Sequence, residues 1–283
     1  MQESELILNE NGSIYHLNLL PEDIASTIIT VGDPQRVSDV SKFFDKVFIT
    51  KSNREFVVHT GTLNNQPITC LSTGMGTDNI DIVLNELDAL VNIDFDTRLV
   101  KEHHTELTIV RLGTSGSINR NITVGAVLYS KIAVGLEGLF SWYKTKPKTV
   151  LEKKWTERIA EISQDIRPFV FEVDQTLESR FQPHYKPGIT ITAGGFYGPQ
   201  NRQLRLVPCF DIISRLSGIK VDNDSPTNIE METAGIYGLG ALLGHKAISI
   251  NAILANRITG EFAKDPKKIM EETIKESLSI LCL

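Results

Sequence analysis

Residues 108–117 read TIVRLGTSGS. The apolar pair Ile109-Val110 runs into Arg111, and Gly-Thr-Ser-Gly-Ser follows. Small residues in a row cannot pack a core, but they let backbone N–H groups and hydroxyls come close to a ligand. Arg111 places a forked, permanent positive charge beside them. The stretch predicts a strand ending in an oxyanion pocket, where α/β sheets usually take their ligands. A plain Gly/Ser-rich turn, with Arg111 in a surface salt bridge, suits the same residues.

Upstream of this stretch, SIYHLNLL (13–20) reads as an extended entry segment, and 26–31 as a short strand. Gly32-Asp33-Pro34 then opens a helix, with Asp33 as N-cap and Pro34 at the first helical position. Arg36 falls in its first turn, where a cation opposes the helix dipole unless an anion sits there; an exposed arginine without consequence is the other reading. Strands are expected at 46–52, 54–63 and 67–72, the last two joined through Asn64-Asn65. Thr73-Gly74-Met75-Gly76 is a second small-residue turn. The helix after it carries Ile80, Val83, Leu84, Leu87, Leu90 and Val91 on one stripe, with Thr77 or Asp78 as cap. Residues 92–105 are polar and read as a loop, with His103 and His104 solvated.

Downstream, 125–134 is a strand, 135–147 a surface excursion or subunit contact, and 149–166 a helix with Trp155, Ile159 and Ile162 inward. A β-branched strand at 188–193 ends in Gly194-Gly195-Phe196. A short helix is expected at 208–216. Residues 228–232 lead into a Gly/Ala-rich helix closed by Gly244. A strand at 246–254 and an amphipathic helix at 266–281 complete the chain. Strands alternate with helices and end in Gly, Arg or Glu, which predicts a layered α/β domain with one site built from several strand ends.

The 283 residues show no linker, so 1–283 is read as a single domain. At 41% hydrophobic and 23% charged, the composition is that of a globular protein. A net charge of −6 argues against a nucleic-acid surface, so any anion must be held by a local arginine cluster. Cys70, Cys209 and Cys282 lie far apart without metal-type spacing, and the start MQESELILNENG lacks a signal-peptide pattern. No apolar run reaches the roughly 18 residues of a membrane span. A cytoplasmic setting with no membrane partner is expected.

Six motifs then fall into one order: VGDPQRV (31–37), NREF (53–56), STGMGTDN (72–79), RLGTSGS (111–117), GFYGPQNR (195–202) and NIEMETAGIY (228–237). Together they resemble the uridine phosphorylase branch of the nucleoside phosphorylase superfamily. The resemblance implies a three-layer α/β/α fold with a central mixed sheet. It also implies phosphorolysis of uridine to uracil and ribose 1-phosphate, with inorganic phosphate as co-substrate and neither cofactor nor metal. It assigns phosphate to Gly32, Arg36, Arg111 and Thr114, with Arg54 reaching a neighbouring subunit's phosphate. Phe196, Gln200, Arg202 and Arg257 would hold the base. Thr114, Met231 and Glu232 would hold the ribose, with His16 lent by the partner to its 5′ end. Arg111, Glu232, Arg202 and Gln200 would carry catalysis, in a homodimer or a hexamer built from dimers.

The chain departs from the family in places. Thr77 and Asn79 replace the usual residues after the second glycine turn; in some relatives a monovalent cation binds there beside the glutamate matching Glu55. Gly198-Pro199 inverts the common Pro-Gly order. The stretches 92–105 and 135–147 are longer than in compact bacterial hexamers. Purine-cleaving relatives carry an aspartate after the late strand, where this chain reads Ala255-Asn256-Arg257. A purine or broad-specificity phosphorylase, or a non-catalytic nucleoside-binding protein, are the alternatives. A dinucleotide-binding oxidoreductase would need a G-x-G-x-x-G turn, which is absent.

Overall fold

The computed structural model describes residues 1–145, 148–163 and 165–282. Its strands are β1 (Thr27–Val31), β2 (Lys46–Asn53), β3 (Phe56–Leu63), β4 (Gln66–Ser72), β5 (Ile93–Asp94), β6 (Leu99–Val100), β7 (Thr108–Ser117), β8 (Val127–Gly135), β9 (Phe169–Glu172), β10 (Lys186–Thr192), β11 (Asn228–Glu230), β12 (Lys246–Asn256) and β13 (Glu261–Phe262). Its helices are α1 (Pro34–Ser41), α2 (Thr77–Asn92), α3 (Val150–Ala160), α4 (Gln175–Phe181), α5 (Ile212–Ser217), α6 (Thr233–Leu243) and α7 (Pro266–Leu281).

The fold is a central mixed sheet flanked by helices, as expected. Two apolar clusters cover it. One gathers Val37 of α1, Leu84 of α2, Ile236 of α6 and Leu278 of α7; the other sets Trp155 of α3 and Leu216 of α5 against Ile132, Ile189 and Ile229. Asp33 caps α1 by accepting from Gln35 N–H at 2.9 Å. Asn64 and Asn65 both take the left-handed conformation that closes the β3–β4 turn.

Long-range pairing adds what local patterns do not show. β7 pairs in parallel with β1 and along its whole length with β12, and its end pairs antiparallel with β11. β12 also pairs with β8, β8 with β10, and β10 with β11. Five strands thus close into a ring, from which β1, β4, β3 and β2 extend as an open wing.

The ring is polar inside, and the alternation of strand residues explains why. Arg111 and Ser115 of β7, Ser130 of β8, Thr190 and Thr192 of β10, Asn228 and Glu230 of β11, and Ser249 and Asn251 of β12 are all buried. Their hydrogen bonds run on from Ser115 to Asn228, Thr190, Ser130, Asn251 and back to Arg111. Satisfied polar networks of this kind hold each member in one place.

Several sequence expectations need correction. The GTSGS segment is strand to its last residue, because β12 and β11 take up its backbone groups. Residues 92–105 contain the small β5–β6 hairpin. His104 is not merely solvated: its Nε2 lies 2.9 Å from the Leu243 carbonyl and its ring stacks on His245. In the 135–147 excursion Phe140 is buried against Gly238, while Trp142 is exposed; residues 146 and 147 lie outside the described residues. The helix expected over 149–166 stops at Ala160, and residue 164 lies outside the described residues. α2 begins at Thr77, capped by Gly76 at φ 89° rather than by Thr77 or Asp78.

Candidate active site

Arg111 is the centre. Its Nη2 lies 2.6 Å from Glu232 Oε2 and 3.0 Å from Glu230 Oε2, while Nη1 donates to Asn251 Oδ1 at 3.1 Å. Burial works against its charge, but Glu230 and Glu232 more than offset that and hold its pKa above the ordinary guanidinium value. Gly113, two residues on along the same strand face, leaves room for this: a Cβ there would stand 2.0 Å from Arg111 Nη1. The small residues of GTSGS therefore clear space for arginine side chains, since Arg257 packs likewise on Gly116.

Glu232 occupies the N-cap position of α6 but makes no cap bond with its side chain. One oxygen goes to Arg111, and the other accepts from Gly76 N–H at 2.8 Å. Glu230 accepts from the Thr192 hydroxyl at 2.6 Å and from the N–H groups of Glu232 and Thr233. Sequence reasoning did not single out Glu230. Its signal was the spacing Glu-x-Glu at a strand end, where two carboxylates two residues apart can reach one site.

The two glycine turns meet here, with a Cβ on Gly32 falling 3.4 Å from the Gly74 carbonyl. Arg36, in the first turn of α1, is close enough to Arg111 for mutual repulsion. Burial first, then that repulsion, pull its pKa down, with Asp33 opposing. Thr114 is half-buried on β7. Met231 reaches toward Gly76 and lines a cleft of about 1130 Å³ with Met75, Gly194, Tyr197 and Arg202.

The four residues assigned to the base form a second cluster. Gln200 is buried and accepts from Arg202 Nη1 at 2.6 Å; its backbone carbonyl accepts from Arg257 Nη1 at 3.0 Å. Gly198, Pro199 and Gln200 form a short 3-10 turn closed by Asn201 in the left-handed conformation. The Arg202 guanidinium lies 3.7 Å from the Phe196 ring centroid and also donates to the Phe196 carbonyl. Burial, with repulsion from Arg257, pushes the Arg202 pKa down to about 10. One face of Phe196 is thus already covered by an arginine.

His16 and Arg54 make their contacts elsewhere. His16 Nδ1 is 2.6 Å from Glu86 Oε1, and Arg54, at φ 54°, lies over the Tyr15 ring. Asn53 ties them together by donating to the His16 carbonyl. Asn79 packs its amide against Gly74, with Glu55 on the same glycine.

Among the described residues, one cluster has metal-ligand composition: Asp88, His104 and His245. Leu107 N–H donates to His245 Nδ1 at 3.2 Å, which leaves the ring proton on Nε2, facing Asp88. A nitrogen carrying its proton has no lone pair for a metal. No helix among the described residues is long and apolar enough to cross a membrane.

The chain is similar in sequence and fold to known proteins. The sequence profile of the phosphorylase superfamily matches residues 26–282. A uridine phosphorylase of Thermococcus kodakarensis is 30% identical over 96% of this chain and 88% of its own length. That of Haemophilus influenzae is 25% identical over 95% of both chains. The crystal structure of a Trypanosoma brucei nucleoside phosphorylase, reported to show uridine phosphorylase activity, superposes with a TM-score of 0.89. It is 28% identical and covers 98% of this chain and 99% of its own. With a profile match over most of its length and a full-length relative at 30% identity, this chain belongs to the phosphorylase superfamily.

Proposed function

We propose that the chain catalyses reversible phosphorolysis of uridine, giving uracil and ribose 1-phosphate, with inorganic phosphate as co-substrate and no cofactor. The observation that carries this reading is the junction at Arg111. One guanidinium, fixed by the strand ring, is shared by Glu232 and Glu230 beside Arg36 and the glycine turns, with the Phe196–Gln200–Arg202–Arg257 cluster at the adjoining strand ends. Relatives that match it over most of their length bear the name uridine phosphorylase.

The roles follow from charge. Arg36, Arg111, Thr114 and Gly32 hold phosphate against the sugar carbon. Bidentate guanidinium suits the anion better than an ammonium would. Glu232, with Met231 beside it, fixes the ribose as positive charge develops, and the bound phosphate faces that charge. Gln200 and Arg202 donate to the departing base, with Arg257 behind them. Asn256, in the region where purine-cleaving relatives place an acid, spends its amide on the Asn119 and Ile122 carbonyls and its oxygen on two backbone N–H groups. It has nothing left to offer a purine, which favours the pyrimidine. His16 and Arg54 serve a partner's site in a homodimer or a hexamer of dimers. The chain works as one domain in the cytoplasm.

Absorbance of uridine with and without phosphate tests this. Phosphate-dependent loss of nucleoside absorbance is expected. An unchanged spectrum in both cases, or equal loss without phosphate, would reject it.

A further inference from the structure

Glu137 sits just past the end of β8, on the wall of the cleft that Met231 and Gly76 also line. Both carboxyl oxygens are buried and have no hydrogen-bond partner among the described residues. The side chain folds back over the strand end. A Cβ on Gly135 would stand 2.8 Å from Oε1, and one on Gly194 would stand 3.2 Å from the Glu137 Cβ. Two glycines therefore leave room for a carboxyl that the local structure does nothing to satisfy.

Its charged surroundings are one-sided. From β11 it faces Glu230, and from the first turn of α2 it faces Asp78. α6 presents Ala234, and the ends of β8 and β10 present Gly135 and Gly194. Arg202 and Arg205 line the same cleft but do not lie against it. Only its own backbone N–H favours the charged form. Burial, with repulsion from Glu230 and Asp78, pushes this carboxyl up to about 7.

Charge balance gives the feature a use. Within this chain Arg36 and Arg111 offset Glu230 and Glu232. An ionised Glu137, with Asp78 beyond it, makes the surroundings negative, and phosphate adds more negative charge than one arginine lent by a partner offsets. Uptake of a proton relieves the excess, and the carboxyls differ in their readiness for it. Glu230 accepts from Arg111, from the Thr192 hydroxyl and from backbone N–H groups, so protonating it breaks existing bonds. Glu137 has only the weak pull of its own backbone N–H to lose.

We propose that Glu137 is a positioning residue for the co-substrate: it takes up a proton when phosphate binds, which lets Glu230 stay ionised and keep Arg111 aimed at the anion. This rests on the reading that phosphate binds at Arg111. Anion affinity should therefore be full below neutral pH and fall as Glu137 ionises above it, the coupling being reciprocal.

Sulfate is the probe, because it stays a dianion across the range in which phosphate itself titrates. Its competitive inhibition constant against phosphate is measured on the full chain and on Glu137→Gln between about pH 6 and about pH 8.5. The wild-type constant should rise by up to about tenfold per pH unit above neutrality, and E137Q should flatten that rise. Parallel curves for the two proteins would overturn the proposal. The wild type alone supplies a second readout: calorimetric titration with sulfate in two buffers of different ionisation heat should show net proton uptake near pH 7. Binding without proton exchange would overturn the proposal too. Calorimetry needs no turnover, so a chain that binds sulfate with proton uptake yet leaves uridine intact would refute the proposed reaction and not the role of Glu137.

Discussion

The guanidinium of Arg111 lies where a side chain at Gly113 would have to go, with only 2.0 Å between its Nη1 and a Cβ built there. Both residues are buried on β7, so neither can yield by moving into solvent. The smallest possible insertion should therefore act on the arginine. Gly113→Ala should cost about 1–3 kcal/mol of stability through overpacking, and lower kcat/KM for phosphate by about 10²-fold or more as the donor is misplaced. Thermal melts and steady-state kinetics check both. A fully active G113A would show that Arg111 need not stay where it is.

Removing Arg111 has a structural penalty as well as a chemical one. Arg111→Ala strands two buried carboxylates, Glu230 and Glu232, and should destabilise the fold by about 3–5 kcal/mol. Arg111→Lys keeps the charge without the fork, so it should retain more stability while remaining about 10²–10³-fold slower. Urea unfolding of both variants alongside turnover separates the effects. An R111A midpoint equal to wild type would contradict the ion-pair geometry.

Arg202 covers one face of Phe196 and is anchored by Gln200. A base must either take the other face or displace the arginine, and in both cases the trio acts on the nucleoside alone. Gln200→Ala and Arg202→Ala should each raise KM for uridine by about 10- to 100-fold, the loss expected for one charge-assisted hydrogen bond, with KM for phosphate unchanged. Equal increases for the two substrates would place these residues outside base recognition.

Glu137 also predicts a pH dependence of stability. Its folded pKa of about 7 stands above the ordinary 4.5, so its favourable contribution is complete below about pH 4.5 and is lost as pH rises through about 7. The neutral isostere carries no such loss. Glu137→Gln should match wild type near pH 5 and be more stable by roughly 2–3 kcal/mol near pH 8. Melts at the two pH values decide; identical differences at both would mean that the carboxyl does not titrate in this range.

Much of the proposed site was legible because it is local. Asp33-Pro34 announces a helix start, and arginines beside glycine turns point to the anion site proposed above. What stayed hidden depends on distant partners. TIVRLGTSGS looked like a strand followed by a turn because small residues were read for backbone freedom, whereas Gly113 and Gly116 are small to admit Arg111 and Arg257. Closure of the strand ring leaves no trace in any one segment, since strands from both halves of the chain meet at β7. Glu230 passed unnoticed because its work is inside that ring. Glu137 fell in a stretch with no clear period, where burial cannot be read from spacing.

The ring also has a consequence for biosynthesis. β7 is bordered by β1 near the start of the chain and by β12, whose residue Lys246 sits opposite Thr108. Arg111 therefore has no fixed surroundings until residues 246–256 have been made and have left the ribosome, and such distant pairings are slow to form. A nascent chain halted before residue 246 would carry nearly every substrate-contacting side chain proposed above and still be inert.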